Sequence, residues 1–279
     1  MPDGYLNITV DGFRIVEKIQ EGGTGTIYRA VQSGNERSAA VKFLTPRARQ
    51  DASLRRAFLR EYRIASKLVH PGLLRMFRHG TLNGTPYFLR EYFEGETLKF
   101  HLLKHPRSSN TDLKTLFLAL TDILGYIHRK GFVHLDIKPE NILIRTPDRI
   151  KIIDFSLAAR IWLVRFFPKS RIQGSPSYMA PEQILRKSLG PRTDLYALGA
   201  TFYEILTGRP PFVVTDRKQL LDHHLTIAPA PPETLNRQVT IEASQIILRM
   251  LAKKPEGRPA SAQDITTTLY NADILRYTE

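Results

Sequence analysis

The spacing of apolar residues changes near residue 95, and this change restricts the chain to an α+β architecture. Before residue 95, short apolar runs bounded by turn residues are typical of β-strands, with a single helical pattern over residues 52–68. We predict strands in this part at residues 13–20, 26–32, 37–44, 73–80 and 86–92. After residue 95, apolar residues recur at intervals of three and four, which is typical of amphipathic helices.

The clearest helical pattern of the second part lies between residues 113 and 127, where the apolar residues share one face. Further helices are predicted at residues 192–206, 217–225, 240–252 and 261–270. We interpret the chain as a single domain over residues 1–279, made of a small sheet-rich lobe over 12–90, a hinge over 91–95 and a larger helical lobe over 96–275.

Composition removes several classes of protein. The chain has 279 residues and no cysteine, so disulfide scaffolds, thiolate zinc sites and cysteine nucleophiles are excluded. No apolar run approaches the roughly 20 residues that a transmembrane helix needs. The polar start over residues 1–12 is not a secretory signal. We therefore expect a cytoplasmic protein without a transmembrane span.

The charge of the chain is strongly positive, because 41 lysines and arginines outnumber 27 acidic residues and give a net charge of +14. Such a balance is typical of proteins that meet phosphates, nucleic acid, acidic lipids or acidic proteins, and it does not choose among them. A solvated basic surface explains the charge equally well. The basic residues concentrate at 47–67 and 160–171.

Several residues of the first part are candidates for phosphate binding. Gly22, Gly23 and Gly25 stand between two predicted strands, where backbone N–H groups can reach phosphate oxygens, although a plain hairpin turn has the same composition. Lys42 closes an apolar strand, and Glu61 is the only acid on the predicted helix. Each residue alone is explained as an exposed charge, whereas together they form a candidate ion pair.

The segment over residues 134–141 carries the strongest chemical signal. Asp136 supplies a carboxylate that can act as a base, and Lys138 supplies a cation for a phosphate. Asn141 and Asp154 are oxygen donors of the kind that Mg²⁺ prefers. This combination suits a reaction on a phosphorylated substrate with a bound metal ion.

In their order and spacing, these segments resemble the eukaryotic-type protein kinase domain in the form found in bacterial serine/threonine kinases. The resemblance covers residues 12–270. It also includes the loop 19–27, the segments 154–156, 174–182 and 194–199, and Arg258. It implies a two-lobed protein kinase fold, with an antiparallel sheet and a helix C in the small lobe and helices in the large lobe.

The resemblance implies that the chain transfers the γ-phosphate of ATP to serine or threonine hydroxyls of proteins. Asp136 would orient the substrate hydroxyl and accept its proton, and Lys138 would steady the transferred phosphoryl group. Lys42, held by Glu61, would position the α- and β-phosphates. The expected partners are therefore ATP and a protein with Ser or Thr, with no specific nucleic acid.

The binding of Mg²⁺ and ATP is assigned by the same resemblance. The expected metal ligands are Asn141 and Asp154. The expected nucleotide-binding residues come from the glycine-rich loop, the strands, the hinge and the second lobe: Ile19, Gly22, Gly23, Gly25, Ile27, Ala40, Lys42, Arg90, Glu91, Tyr92 and Leu143.

Some positions depart from the family pattern. Gln20 replaces the first loop glycine, and Ser156 replaces the glycine that follows Asp154 and Phe155 in the family pattern. Leu135 replaces an arginine that a loop phosphate neutralises in relatives, so we predict activity without activation-loop phosphorylation. We expect Ser175 to form a hydrogen bond near Asp136 and Lys138 rather than to act as a switch.

Arg90 is a further departure, because it stands just before the hinge where the family has an apolar residue or Thr. A buried guanidinium without a partner is costly, so Arg90 should pair with Glu61 or Asp154 or reach out of the pocket. A pair with Glu61 would take the carboxylate away from Lys42 and hold the resting enzyme inactive.

Residues 160–171 combine apolar and basic side chains in a loop that usually faces solvent in kinases. One interpretation is that the apolar side chains of residues 161–167 fold back over the cleft or onto the basic helix of the first lobe. The other is a surface for self-association or for an acidic partner, because exposed apolar patches seldom lack a role.

Two other functions stay open at this point. A pseudokinase scaffold would bind nucleotide or partners with little catalysis, and Gln20, Arg90 and Ser156 favour it. A small-molecule phosphotransferase would share the lysine, the catalytic loop and the metal loop, but it would lack the peptide platform that residues 176–182 and Arg258 indicate here.

Overall fold

The computed structural model describes residues 4–34, 37–105, 109–166 and 173–276, apart from the side chain of Arg165. Two compact units make up the chain, one ending at Glu94 and the other beginning at Gly95. Among the described residues, no helix combines the length and the apolar character that crossing a membrane requires.

The first unit is built on a six-stranded antiparallel sheet in the order β1-β2-β3-β4-β6-β5. Its strands are β1 (Thr9–Val10), β2 (Phe13–Glu21), β3 (Gly25–Gln32), β4 (Ser38–Leu44), β5 (Met76–Leu82) and β6 (Thr85–Glu91). Its helices are α1 (Pro46–Gln50) and α2 (Ala52–Ala65). Asp51 is the N-cap of α2, because its carboxylate accepts the N–H groups of Ser53 and Leu54.

Side-chain alternation along β4 divides the core of the first unit into two clusters. Ala39, Val41 and Phe43 join a cluster with residues of β2 and β3. Leu44 belongs to the other cluster, with Phe88 of β6 and Phe58 of α2. Lys42 lies between Val41 and Phe43 and therefore shares the face of the sheet that packs against α2.

The second unit is mainly helical. Its helices are α3 (Leu98–Lys104), α4 (Asn110–Arg129), α5 (Ile161–Phe166), α6 (Pro181–Ile184), α7 (Pro191–Thr207), α8 (Arg217–Thr226), α9 (Pro232–Leu235), α10 (Ile241–Met250) and α11 (Ala262–Tyr270). Its strands are β7 (Glu96–Thr97), β8 (Phe132–Val133), β9 (Ile142–Thr146), β10 (Arg149–Ile152) and β11 (Ala159–Arg160). The strands form a sheet β10-β9-β7 and a pair β11-β8.

Helix α7 is the centre of the second unit, since it is buried along nearly its whole length. Phe117 of α4 stacks on Phe202 of α7 with 3.8 Å between ring centroids. Gly199 lets α10 approach closely, because a Cβ at this position would lie 2.7 Å from the Cβ of Met250.

The predicted α+β architecture is confirmed, with differences at element ends. The helix predicted at 52–68 ends at Ala65. The strand predicted at 73–80 is misplaced, because β5 covers Met76–Leu82 and the buried residues Leu73 and Leu74 precede it. A short apolar run does not distinguish a strand from a buried loop. The shorter elements were not predicted, because each is too brief to show a clear periodicity: helices α1, α3, α5, α6 and α9 and strands β1 and β7 to β11.

The segment 160–171 is only partly described, since residues 167–172 lie outside the described ranges. The interpretation that these apolar side chains fold back over the cleft or onto the basic helix does not account for Val164, which is 2% exposed but packs against Val133, Leu135 and Leu189 of its own unit. It is wrong for Trp162, Leu163 and Phe166, which are 56%, 43% and 69% exposed. A single turn of helix presents only part of its circumference to the core, so the other side chains face outward.

Candidate active site

Lys42 and Glu61 form a buried ion pair in the first unit. The Lys42 Nζ atom lies 2.5 Å from Glu61 Oε2, and both side chains are less than a tenth exposed. The lysine reaches the glutamate because β4 turns it toward α2, where Glu61 is on the buried face. The sequence-based candidate pair is therefore present.

Arg90 approaches the same carboxylate from β6. Its position opposite Ala40 in the sheet directs it to the face that carries Lys42, and Arg90 Nη1 lies 3.6 Å from Glu61 Oε1. The expectation that such a pair would deprive Lys42 of its carboxylate is wrong. Glu61 has two oxygen atoms, and each cation approaches a different one.

Gly25 has a packing role that the sequence-based interpretation missed. A Cβ at Gly25 would lie 2.8 Å from Lys42 Cε and 2.9 Å from the Phe43 carbonyl oxygen. The glycine therefore leaves room for the Lys42 side chain. The turn itself is closed by a hydrogen bond from the Gly22 N–H to the Gly25 carbonyl.

The other predicted nucleotide-binding residues are distributed over both units. Ile19 and Ile27 flank the glycine turn in β2 and β3, and Ala40 is buried in β4. Glu91 ends β6, where its backbone N–H and its carboxylate bond to the backbone of Arg75. The ring of Tyr92 lies beneath the Arg29 guanidinium, and Leu143 lies in β9 of the second unit.

Asp194 of α7 holds the start of the catalytic loop, which comprises residues 134–141. Its two carboxylate oxygens accept the backbone N–H groups of His134 and Leu135 at 2.8 and 2.7 Å, and Oδ2 also contacts His128 Nε2 at 2.9 Å. The backbone at Leu135 adopts a positive φ of 67°, which a leucine rarely does without such support. Asp194 therefore fixes the residue that precedes Asp136.

The Asp136 carboxylate is the centre of a closed set of hydrogen bonds. Its Oδ2 lies 3.0 Å from both Lys138 Nζ and Asn141 Nδ2, and its Oδ1 accepts the backbone N–H of Ser175 at 3.0 Å. Lys138 also donates to Ser175 Oγ at 2.6 Å. The predicted hydrogen bonds of Ser175 to this pair are present.

Asp154 is attached to the same loop through the backbone. The Ile153 N–H donates to the Asn141 carbonyl at 2.9 Å, and His134 Nε2 lies 3.0 Å from the Ile153 carbonyl. Asp154 itself has a positive φ of 66°, and its Oδ1 accepts the Ser156 N–H. These contacts bring the backbones of the two candidate metal ligands, Asn141 and Asp154, together.

The segment 174–182 is fixed to the helical core by Glu182 and Arg258. The fully buried Arg258 donates two parallel hydrogen bonds to Glu182, at 2.7 and 2.9 Å, which is a strong bidentate geometry. Gln183, which directly follows this segment, donates to the carbonyl of Leu135 in the catalytic loop.

Glu204 is a buried acid that the sequence-based interpretation missed. It accepts hydrogen bonds from Lys99 and from the Tyr178 hydroxyl. Burial and the neighbouring Glu204 charge raise the pKa of Tyr178, so its phenol stays protonated and donates. A lone glutamate within the apolar run of α7 was the signal that could have revealed it.

Leu135 packs in an apolar cluster with Val133, Val164 and Leu189. Leu135 is the position at which the sequence departs from the arginine of the family pattern, and its side chain is part of this cluster. The apolar side chains of the cluster connect the catalytic loop to α5.

Comparison with known proteins agrees with this arrangement. The family model described as "Protein kinase domain" matches residues 13–270. A probable serine/threonine-protein kinase of Clostridium acetobutylicum is 30% identical over 259 residues, which are 93% of this chain and 39% of the relative. Serine/threonine-protein kinase PknB of Mycolicibacterium smegmatis is 30% identical over 275 residues, or 96% of this chain and 43% of the relative.

Serine/threonine-protein kinase pkn2 of Myxococcus xanthus is 31% identical over 274 residues, covering 94% of this chain and 33% of the relative. The chain thus spans less than half the length of these three relatives. The match of the family model over most of the chain means that this chain belongs to the protein kinase domain family.

Proposed function

We propose that this chain is a serine/threonine protein kinase that uses Mg²⁺ to transfer the γ-phosphate of ATP to protein hydroxyls. The observation that carries the proposal is the hydrogen-bonded set of Asp136, Lys138, Asn141 and Ser175. It supplies an oriented carboxylate, a cation and an amide within one loop system. The names of the relatives support the Ser/Thr class.

Asp136 orients the substrate hydroxyl and accepts its proton. Hydrogen bonds to both oxygens hold its carboxylate in one orientation, which is what proton transfer to a positioned base requires. Lys138, held at 3.0 Å from Asp136, neutralises negative charge on the transferred phosphoryl group. Catalysis of this reaction consists mainly of positioning and charge stabilisation.

Asn141 and Asp154 are the residues that would hold Mg²⁺, as ligands that offer oxygen atoms. The two hydrogen bonds of the Asn141 side chain to Asp136 both use its amide nitrogen, so its amide oxygen is not used by them. When bound, the metal ion neutralises charge on the β- and γ-phosphates.

Lys42 contacts the α- and β-phosphates, and Glu61 holds its ammonium group in position. The proposed nucleotide-binding site consists of the residues predicted from the sequence: Ile19, Gly22, Gly23, Gly25, Ile27, Ala40, Arg90, Glu91, Tyr92 and Leu143. A small lobe over residues 12–90, a hinge over 91–95 and a large lobe over 96–275 belong to the same proposal.

The alternatives receive less support. The Lys42–Glu61 pair is intact and hydrogen bonds orient Asp136, so these contacts do not favour a pseudokinase. The Glu182–Arg258 pair supports a peptide platform rather than a small-molecule phosphotransferase. A cytoplasmic location, and self-association or an acidic partner at residues 160–171, stay predictions.

Transfer of labelled phosphate from ATP to a generic protein substrate tests the proposal. We expect Mg²⁺-dependent transfer that Lys42→Met abolishes and that the control Lys218→Met, an exposed lysine of α8, leaves intact. Equal transfer by both variants, or transfer to an aminoglycoside instead of protein, would overturn the proposal.

A further inference from the structure

Glu96, His101 and His105 form a cluster of potential metal ligands that the proposed kinase reaction does not use. One ligand atom from each residue lies within 4.8 Å of the corresponding atoms of the other two. His101 Nδ1 is 3.0 Å from Glu96 Oε1, and the two imidazole rings are 4.6 Å apart between centroids. All three belong to the second unit.

The backbone of β7 and α3 positions these three side chains. Glu96 lies in β7, where it pairs with Ile144 of β9. The next residue, Thr97, is the N-cap of α3, because its hydroxyl oxygen accepts the Phe100 N–H. His101 is within α3 and His105 directly follows it, and this spacing of four residues brings side chains to the same face of a helix.

Lys104 orients the carboxylate of Glu96. Its Nζ lies 2.7 Å from Glu96 Oε2 and 4.1 Å from the centre of the Phe100 ring. The other carboxylate oxygen, Oε1, therefore faces His101. An outer partner that fixes the orientation of a ligand in this way is a common part of metal sites.

We propose that Glu96, His101 and His105 bind a zinc ion, with the fourth coordination position open to water. Two imidazoles and one carboxylate are a donor set that Zn²⁺ accepts. Two histidines four residues apart are a recurrent zinc-binding pair on helices, and here the second of them is the C-cap residue of α3. Mg²⁺ prefers an environment of oxygen atoms alone, so this site is chemically different from that of Asn141 and Asp154.

A small movement of the His105 ring completes the site. Ligand atoms at about 2.1 Å from zinc in a tetrahedral arrangement lie roughly 3.4 Å from one another. The Glu96–His101 separation of 3.0 Å is already close to this value. His105 is exposed and follows the last turn of α3, so its ring is free to approach the other two. The bound ion then joins β7 to the C-terminal end of α3.

Zinc titration of the purified chain without a histidine tag, after treatment with a chelator and in excess Mg²⁺, tests this site. We expect one Zn²⁺ per chain by calorimetry and the intense visible absorption of four-coordinate Co²⁺. His101→Gln and His105→Gln should each weaken Zn²⁺ binding at least about tenfold, since even an outer partner costs that much. The control His79→Gln, an exposed histidine of the first unit, should bind Zn²⁺ normally.

A second readout is thermal stability, because an ion that binds the folded chain raises its melting temperature. We expect Zn²⁺ to raise the melting temperature of the wild type and of His79→Gln, and not that of Glu96→Gln. No Zn²⁺ binding by the wild type, equal affinity in all variants, or displacement of Zn²⁺ by Mg²⁺ would overturn the proposal. Each result is independent of phosphoryl transfer, so it does not depend on the proposed function.

Discussion

Two cations of the first unit approach Glu61. Lys42 and Arg90 each approach one of its two oxygens, and all three side chains are buried. A buried carboxylate between two cations is favourable only when the geometry satisfies each of them, because all three charges lose their hydration. We propose that Arg90 is a positioning residue, because its Nη1 atom lies 3.6 Å from the second oxygen of the Glu61 carboxylate, whose first oxygen binds Lys42.

Replacement of Arg90 tests this interpretation at the scale of the residue. We expect Arg90→Met to lower kcat/KM by roughly three- to tenfold, equivalent to ~1 kcal/mol, because the carboxylate loses one of its two partners. Arg90→Lys should restore part of the activity, since it returns the charge. Steady-state kinetics with both variants measures the effect, and activity of Arg90→Met above wild type would contradict it.

Helix α5 contacts the catalytic loop through apolar side chains. Val164 packs against Leu135, Val133 and Leu189, whereas the adjacent Leu163 is exposed. In relatives with an arginine at the position of Leu135, a phosphate on the loop neutralises that charge. Here the residue at this position is apolar and packs against Val164, so we infer that the segment is ordered without a phosphate.

This difference predicts that phosphatase treatment leaves the activity unchanged. It also predicts that Val164→Asp lowers activity strongly, because a buried unpaired carboxylate would separate α5 from the catalytic loop. Leu163→Asp, one residue away on the exposed side, is the matched control and should retain activity. Loss of activity on dephosphorylation, or equal effects of the two substitutions, would show that the apolar cluster does not order the loop.

Trp162 gives a second test at the scale of this helix, since it is the only tryptophan of the chain. Because its side chain is 56% exposed, we expect red-shifted emission that acrylamide quenches in dilute protein. A blue shift with rising protein concentration would indicate self-association at this segment. Emission that is already blue and resistant to quenching in dilute protein would contradict the observed exposure.

At the scale of the whole molecule, local sequence patterns predict the longer helices and strands, whereas long-range contacts are not visible in them. The alternation in β4 and the apolar face of α4 are visible in the sequence, and so is the candidate Lys42–Glu61 pair. The meeting of Lys99 with Glu204 is not visible, because these residues lie far apart in the chain and belong to different helices. The positions of Arg90 and Trp162 likewise depended on packing rather than on local pattern.

The stability of the whole molecule should depend on pH through His224. This histidine of α8 is fully buried, and its Nδ1 lies 2.9 Å from the Tyr196 hydroxyl. Burial, together with the charge of Lys253, lowers the pKa of His224 from 6.5 to about 3. The unfolded chain therefore binds a proton between these values that the folded chain does not, so stability is lost as the pH falls below 6.5.

Urea unfolding at two pH values measures this contribution. We expect His224 to account for about 2 kcal/mol of the stability lost between pH 7 and pH 5. His224→Gln does not titrate, so its loss over the same interval should be smaller by that amount, while the exposed control His79→Gln should behave like the wild type. An identical pH dependence in all three proteins would contradict the lowered pKa.

The most direct measurement is the rate of phosphoryl transfer by Asp136→Asn in a single turnover with Mg²⁺-ATP and a protein substrate. Loss of the proton acceptor should lower this rate by at least about 10²-fold, with the phosphate of the wild-type reaction on serine or threonine. Asp222→Asn, which changes an exposed aspartate of α8, should react like the wild type. Equal rates for Asp136→Asn and Asp222→Asn would contradict a kinase reaction centred on Asp136.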